Sequence, residues 1–217
     1  CLPPLVSAHA RAEPPELAEA LRRCRGVREE ELAQGKADTA SSARAVPAVR
    51  HLAVLVGHAA LRDAALAEYD LELAYLVLSQ SQEDPGEYVP DLQALSEMSE
   101  PLRRAELDRR LGRWGRVLDA LFEDGSEESF ERAVGVARER RLFPRALMLA
   151  SAGGGGSPAR LARVQAAYAA QLEAEGRLED AAVAHCASGD ERRAMECWRG
   201  CGAWRAVLGG AGRRGAG

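Results

Sequence analysis

The sequence predicts an all-α protein, a helical-repeat solenoid of stacked antiparallel helix pairs, and three observations carry that reading. A short pattern recurs as Leu142-Phe143-Pro144-Arg145-Ala146-Leu147, Arg177-Leu178-Glu179-Asp180-Ala181-Ala182, Asp190-Glu191-Arg192-Arg193-Ala194-Met195 and Ala203-Trp204-Arg205-Ala206-Val207-Leu208. Its last three copies each follow a glycine, Gly176, Gly189 and Gly202, spaced 13 residues apart. That spacing holds one short helix and a turn, and such self-similarity marks an array in which each unit buries its apolar face against its neighbours. Composition points the same way: 47% of residues are apolar but only 5% aromatic. Alanine and leucine supply most of the apolar share, which favours close helix packing over a β-sandwich. Throughout, apolar residues recur at helical spacing with turns of a few residues between the runs.

Residues 1–47 say least. Glu13-Pro14-Pro15-Glu16 sets up a helix start with acidic residues in its first turn, and Leu17, Leu21 and Cys24 form its apolar stripe. After Gly26 come Glu29-Glu30-Glu31 and an Ala/Ser/Thr-rich run to Ser42, which reads as a flexible linker with too little apolar surface to fold. The repeats are expected over residues 48–208. Leu52, Leu55, Val56 and Ala59 form one stripe; Leu73, Leu76 and Val77 form the buried face of a second, more apolar helix from Asp70 to Ser79. Asp84-Pro85-Gly86 breaks the chain, and Pro90 opens a helix striped by Leu92, Leu95 and Met98. Leu102, Leu107 and Leu111 lead to Trp114, Val117, Leu118, Leu121 and Phe122. Asp124-Gly125-Ser126 is a stop followed by a cap, before Phe130, Ala133, Val134 and Ala137. Gly153 to Gly156 is a flexible break closed by Ser157-Pro158, ahead of a longer helix bearing Leu161, Val164, Tyr168 and Leu172. The glycine-rich tail, residues 209–217, has no reason to be ordered.

Net charge is −4 with both signs interspersed, and Lys36 is the only lysine, so the whole-chain field does not mark a nucleic-acid binder. The five cysteines are Cys1, Cys24, Cys186, Cys197 and Cys201, an odd and unevenly spaced set. With no secretory signal and no apolar run long enough for a membrane span, free thiols in the reduced interior of a cell are expected. The cytoplasm is the primary compartment on this reading, with the nucleus second. The start at Cys1 suggests a fragment.

Specific residues also carry a resemblance. Residues 48–95, and above all Tyr69-Asp70-Leu71-Glu72-Leu73 followed by Ser81-Gln82-Glu83-Asp84-Pro85-Gly86-Glu87-Tyr88-Val89-Pro90, resemble the Elongator complex subunit 1 (IKAP) family. Cys201-Gly202-Ala203-Trp204 is similar to a later repeat of that family, and Pro14, Glu16 and Leu17 resemble it more loosely upstream. The resemblance runs over about residues 48–208, with departures at Gly153 to Ser157 and from Gly209 onward. It implies a non-catalytic scaffold segment in the complex that begins 5-carboxymethyl-type modification of tRNA wobble uridines. In that family the radical-SAM, acetyl-CoA-using subunit is a different chain. The first subunit carries β-propellers, then a TPR-like array, then a dimerisation region. The implied partners are the other Elongator subunits, a second copy of the parent protein through a region outside this segment, and at most weak or indirect tRNA contact. No catalytic, cofactor-binding or metal residues carry over.

The residues themselves offer sharper alternatives. His185-Cys186, Cys197 and Cys201 invite a zinc reading, but their spacing matches no paired CxxC set, and small residues packed between helices are expected instead. Gly153 to Ser157 lacks the lysine and spacing of a phosphate loop. The acid pairs Glu106/Asp108 and Glu127/Glu128 are expected on solvated faces among arginines. His9, His51, His58 and His185 fall in unrelated settings, so no enzyme signal emerges. Arginines 103, 104, 109, 110, 113, 116, 138, 140, 141, 192 and 193 could face tRNA, but each cluster is interleaved with acids. Trp198 and Trp204 are expected in the inter-helix core. The alternatives to a scaffold are therefore a tRNA-contacting helical surface and a coat- or transport-type solenoid.

Overall fold

Thirteen helices and no strand make up the described residues of this computed structural model, which are 2–12, 16–35, 42–152 and 157–203. The fold is all-α, as the apolar periodicity predicts. The chain divides into two compact units, residues 1–112 and 113–217.

The first unit holds α1 (Leu2–Ala10), α2 (Leu17–Ala33), α3 (Ala45–Val56), α4 (His58–Ala67), α5 (Leu71–Leu78), α6 (Pro85–Glu97) and α7 (Glu100–Arg110). One core joins them. Leu2 and Val6 of α1 and Leu21 and Cys24 of α2 share it with Val49, Leu52, Leu61, Leu73, Leu76, Val77, Leu95 and Leu107. The helices before residue 47 therefore pack with those after it.

Several details differ from the sequence reading. Helix α1 was not foreseen. Helix α2 continues through Gly26 to Ala33, over part of the stretch expected to be a linker. There the charged residues are not all solvated: Arg28 and Glu31 are buried. Glu72 accepts from Arg28 at 3.0 Å, and Ser42 donates to Glu31. Ser42 also accepts from the Ala45 amide at 2.9 Å, helping to start α3. The stripe from Leu52 to Ala59 is split. Gly57, at φ +86, ends α3, so Ala59 lies exposed on α4. Asp84-Pro85-Gly86 begins a helix, with Pro85 in the first turn and Asp84 accepting from the Gly86 amide; Pro90 lies inside α6. Met98 is exposed at its end.

The second unit holds α8 (Trp114–Asp124), α9 (Glu127–Glu139), α10 (Phe143–Ala152), α11 (Pro158–Ala174), α12 (Leu178–Ser188) and α13 (Glu191–Gly200). The stop at Gly125 (φ +69) and the cap at Ser126, which accepts from the Ser129 amide, form as read. Ser157 precedes α11 without a side-chain capping bond. Phe130 and Phe143 are the largest buried side chains here, Phe130 meeting Phe122 edge-on at 6.0 Å and Phe143 meeting Tyr168 at 5.2 Å.

The glycine period is a period of helix ends. Gly176, Gly189 and Gly202 all have positive φ, at +76, +88 and +74. Beyond each, the chain closes with the same bond: Arg177 N–H to Leu172 C=O, Asp190 to His185 and Ala203 to Trp198, each 2.9 Å. These are left-handed C-caps, where a side chain would be strained. Arg141 (φ +57) repeats the device without glycine, the Leu142 amide reaching the Ala137 carbonyl at 2.8 Å. Between α12 and α13, Ala181, Ala182 and Ala194 are fully buried, and Gly200 lies so close that an added Cβ would stand 3.0 Å from Leu178 Cδ1. Small residues thus set the stacking distance. Trp198 packs against this cluster, in the inter-helix position expected for it. Trp204, Leu208 and the tail, like Gly153 to Gly156, lie outside the described residues.

Candidate functional site

In the second unit, α11, α12 and α13 each contribute one side chain to a single cluster: Glu173, His185 and Cys197. The three positions are 12 residues apart. That interval is one short of the 13-residue period of the caps, so the three side chains come from successive helices at 3, 4 and 5 residues before Gly176, Gly189 and Gly202. His185 and Cys197 are 4% and 6% exposed, and Glu173 lies at the partly open rim.

Glu173 Oε1 holds the cluster together. His185 Nε2 lies in hydrogen-bond contact with it, and Cys197 Sγ donates to it at 3.5 Å. Arg193 donates to the other carboxylate oxygen at 3.3 Å. Burial alone would raise the Glu173 carboxyl, but the bonds from His185 and Cys197 outweigh it and hold the group below its ordinary value. Burial, with the carboxylate beside it, pushes the Cys197 thiol up to about 11. The other ring nitrogen, His185 Nδ1, is buried with no hydrogen-bond partner among the described residues. One sulfur, one nitrogen and one oxygen thus stand within 4.8 Å of one another.

The sequence reading found two members of this cluster and missed the third. Of the cysteines it grouped with His185, Cys186 and Cys201 are exposed, and Cys201 donates to the Trp198 carbonyl at 3.4 Å. Glu173 carried no signal in a search for CxxC-type spacing, because its distance of 12 residues has meaning only once the helices are stacked.

The acid pairs behave differently from each other. Glu127 is exposed and pairs with Arg160 and Arg163, as a solvated face should. Asp108 is not on such a face: it is 1% exposed and accepts a 2.7 Å bond from the Tyr69 hydroxyl. Its neighbour Glu106 accepts from both Arg109 and Arg110, which hold its carboxyl down at about 2 against the cost of burial. His9 meets Glu16 at 2.8 Å, and His51 meets Ser7 at 2.7 Å.

Many of the arginines proposed to face tRNA have carboxylate or ring partners. Arg110 also bonds both oxygens of Asp91, Arg141 lies 3.4 Å from Glu175, and Arg192 lies 3.1 Å from Glu196. Arg140 stacks over Trp114 at 3.9 Å. A phosphate would have to displace these partners, which disfavours a dedicated nucleic-acid face. In the first unit, Leu71, Tyr75, Val89 and Leu92 line a largely apolar groove of about 280 Å³, with Arg28 and Glu72 at its edge. Among the described residues, no helix is long and apolar enough to cross a membrane.

The ELP1 alpha-solenoid family matches residues 1–95. Elongator complex protein 1 of Arabidopsis thaliana is 34% identical over 94% of the chain, and that of Rattus norvegicus is 31% identical over 94%. The Schizosaccharomyces pombe protein of the same name is 39% identical over 47% of the chain. The chain spans only 15% of the length of the first two relatives and 8% of the third. The match reaches back to residue 1, beyond the residues that carried the resemblance in sequence, and includes helices α1 and α2, which share the first unit's core. The helical repeats and these similarities together place the chain in the Elongator complex protein 1 family, as a segment of its alpha-solenoid.

Proposed function

We propose that this chain is a non-catalytic scaffold segment of the Elongator complex, positioning other subunits for the 5-carboxymethyl-type modification of tRNA wobble uridines. The observation that carries the reading is the repeated helix end at Gly176, Gly189 and Gly202 in a chain of this family. A stack of short helices with identical ends buries one face of each helix and leaves long lateral faces for other chains. Asp108, one of the acids that sequence alone offered for acid–base work, is engaged in holding helices together through its bond from the Tyr69 hydroxyl. The proposed partners are other Elongator subunits, with dimerisation of the parent protein left to a region outside this segment. The proposed setting is the cytoplasm, with the nucleus second.

The test uses the full-length protein. Cells in which it is replaced by a form lacking this segment are expected to lose 5-carboxymethyl-type wobble nucleosides from their tRNA, measured by mass spectrometry of digested tRNA. Unchanged nucleoside levels in those cells would overturn the proposal.

A further inference from the structure

We propose that Glu173, His185 and Cys197 form a binding site for a divalent transition-metal ion of the zinc class, independently of the scaffold reading. Three helices each supply one donor, and the donor atoms already stand within 4.8 Å of one another. In a tetrahedral zinc site, bonds of about 2.0 to 2.3 Å place neighbouring donors about 3.5 Å apart. Cys197 Sγ already stands 3.5 Å from Glu173 Oε1, while His185 Nε2, in hydrogen-bond contact with that oxygen, would have to draw back from it to admit the ion.

The donor chemistry suits the ion. A thiolate and a carboxylate supply two negative charges, and a neutral imidazole supplies nitrogen, so a divalent ion is neutralised in a pocket where His185 and Cys197 are almost wholly buried. Sulfur and imidazole select zinc, cobalt and similar ions over magnesium or calcium, whose sites are built from oxygen. Arg193 stays on the outer oxygen of Glu173, 3.3 Å away, where it orients the carboxylate. Three protein ligands leave a fourth position for water or a group from a partner chain. Binding converts the Cys197 thiol to a metal-bound thiolate and releases its proton to solvent.

The metal-free cluster is poorly satisfied, which gives an ion something to improve. A single carboxylate oxygen, Glu173 Oε1, serves both His185 and Cys197. His185, 4% exposed, has a second ring nitrogen, Nδ1, with no hydrogen-bond partner among the described residues.

The experiment is titration of the purified, metal-stripped chain with Co²⁺, followed by displacement with Zn²⁺. One equivalent of Co²⁺ is expected to produce thiolate-to-cobalt charge-transfer absorption, which Zn²⁺ removes while raising the thermal midpoint. Cys197→Ser should abolish the band, and Glu173→Gln or His185→Gln should weaken Zn²⁺ binding at least tenfold, with metal-free circular dichroism confirming that each variant folds. The double variant Cys186→Ser/Cys201→Ser, which changes only exposed thiols, should bind as the unaltered chain does. Absence of the band in the unaltered chain, or its loss in that double variant, overturns the proposal even if Cys197→Ser does not fold.

Discussion

The Tyr69 hydroxyl donates a 2.7 Å hydrogen bond to Oδ2 of Asp108, tying the turn between α4 and α5 to α7. Tyr69 sits at φ +58, in the left-handed region that most side chains avoid, and Asp108 is 1% exposed. The aromatic residue is held where backbone preference would favour glycine, because its hydroxyl reaches a buried carboxylate. Tyr69→Phe is therefore expected to cost about 1–2 kcal/mol in urea unfolding. In a double-mutant cycle with Asp108→Asn the losses should be strongly non-additive; simple addition of the two would contradict the contact.

Two glycines should respond with opposite signs. Gly189, at φ +88, closes α12, and Gly189→Ala should destabilise by about 1 kcal/mol although nothing stands within 4 Å of the new methyl group. Gly26 lies inside α2 with open space around it, and Gly26→Ala should stabilise by about 0.5–1 kcal/mol. Thermal melts of the two variants read the difference directly.

This contrast also shows what was legible in the sequence. The helix ends were readable because glycine at a regular interval has a local cause, the left-handed cap. So was the cap at Ser126, whose side chain accepts from the Ser129 amide. The end of α2 was not, because its run of acids and arginines looked solvated. Arg28 and Glu31 are buried there by partners 44 and 11 residues away, Glu72 and Ser42. The same limit hid Glu173 and misplaced Asp108: each owes its role to helices distant in sequence.

Acid should weaken the first unit through Glu106. Its folded carboxyl is lowered from 4.5 to about 2 by the bonds from Arg109 and Arg110. A depressed carboxyl contributes stability above its unfolded value, and that contribution is lost as pH falls from about 4.5 towards 2. A shift of this size corresponds to at most about 3 kcal/mol, and screening by solvent at the arginine heads reduces it to about 1 kcal/mol. Glu106→Gln should flatten that part of the stability–pH curve; an unchanged slope would show that the pairs contribute nothing.

Leu73, 1% exposed in the first unit's core, gives the most severe test of the packing. Leu73→Asp places an unpaired carboxylate among apolar side chains and is expected to cost more than about 4 kcal/mol, melting the first unit. Circular dichroism against temperature measures it, and an unchanged melt would mean that α5 is not buried. The companion substitution Trp204→Asp, expected from sequence to disrupt the array, falls outside the described residues.

The most direct test of the scaffold reading is affinity purification of the tagged full-length protein from its own cells at ordinary salt, with quantitative mass spectrometry of what accompanies it. The expected result is recovery of the other Elongator subunits in near-equal amounts, reduced when this segment is deleted while the remaining protein is still expressed. Recovery of none of them with the intact protein would contradict it.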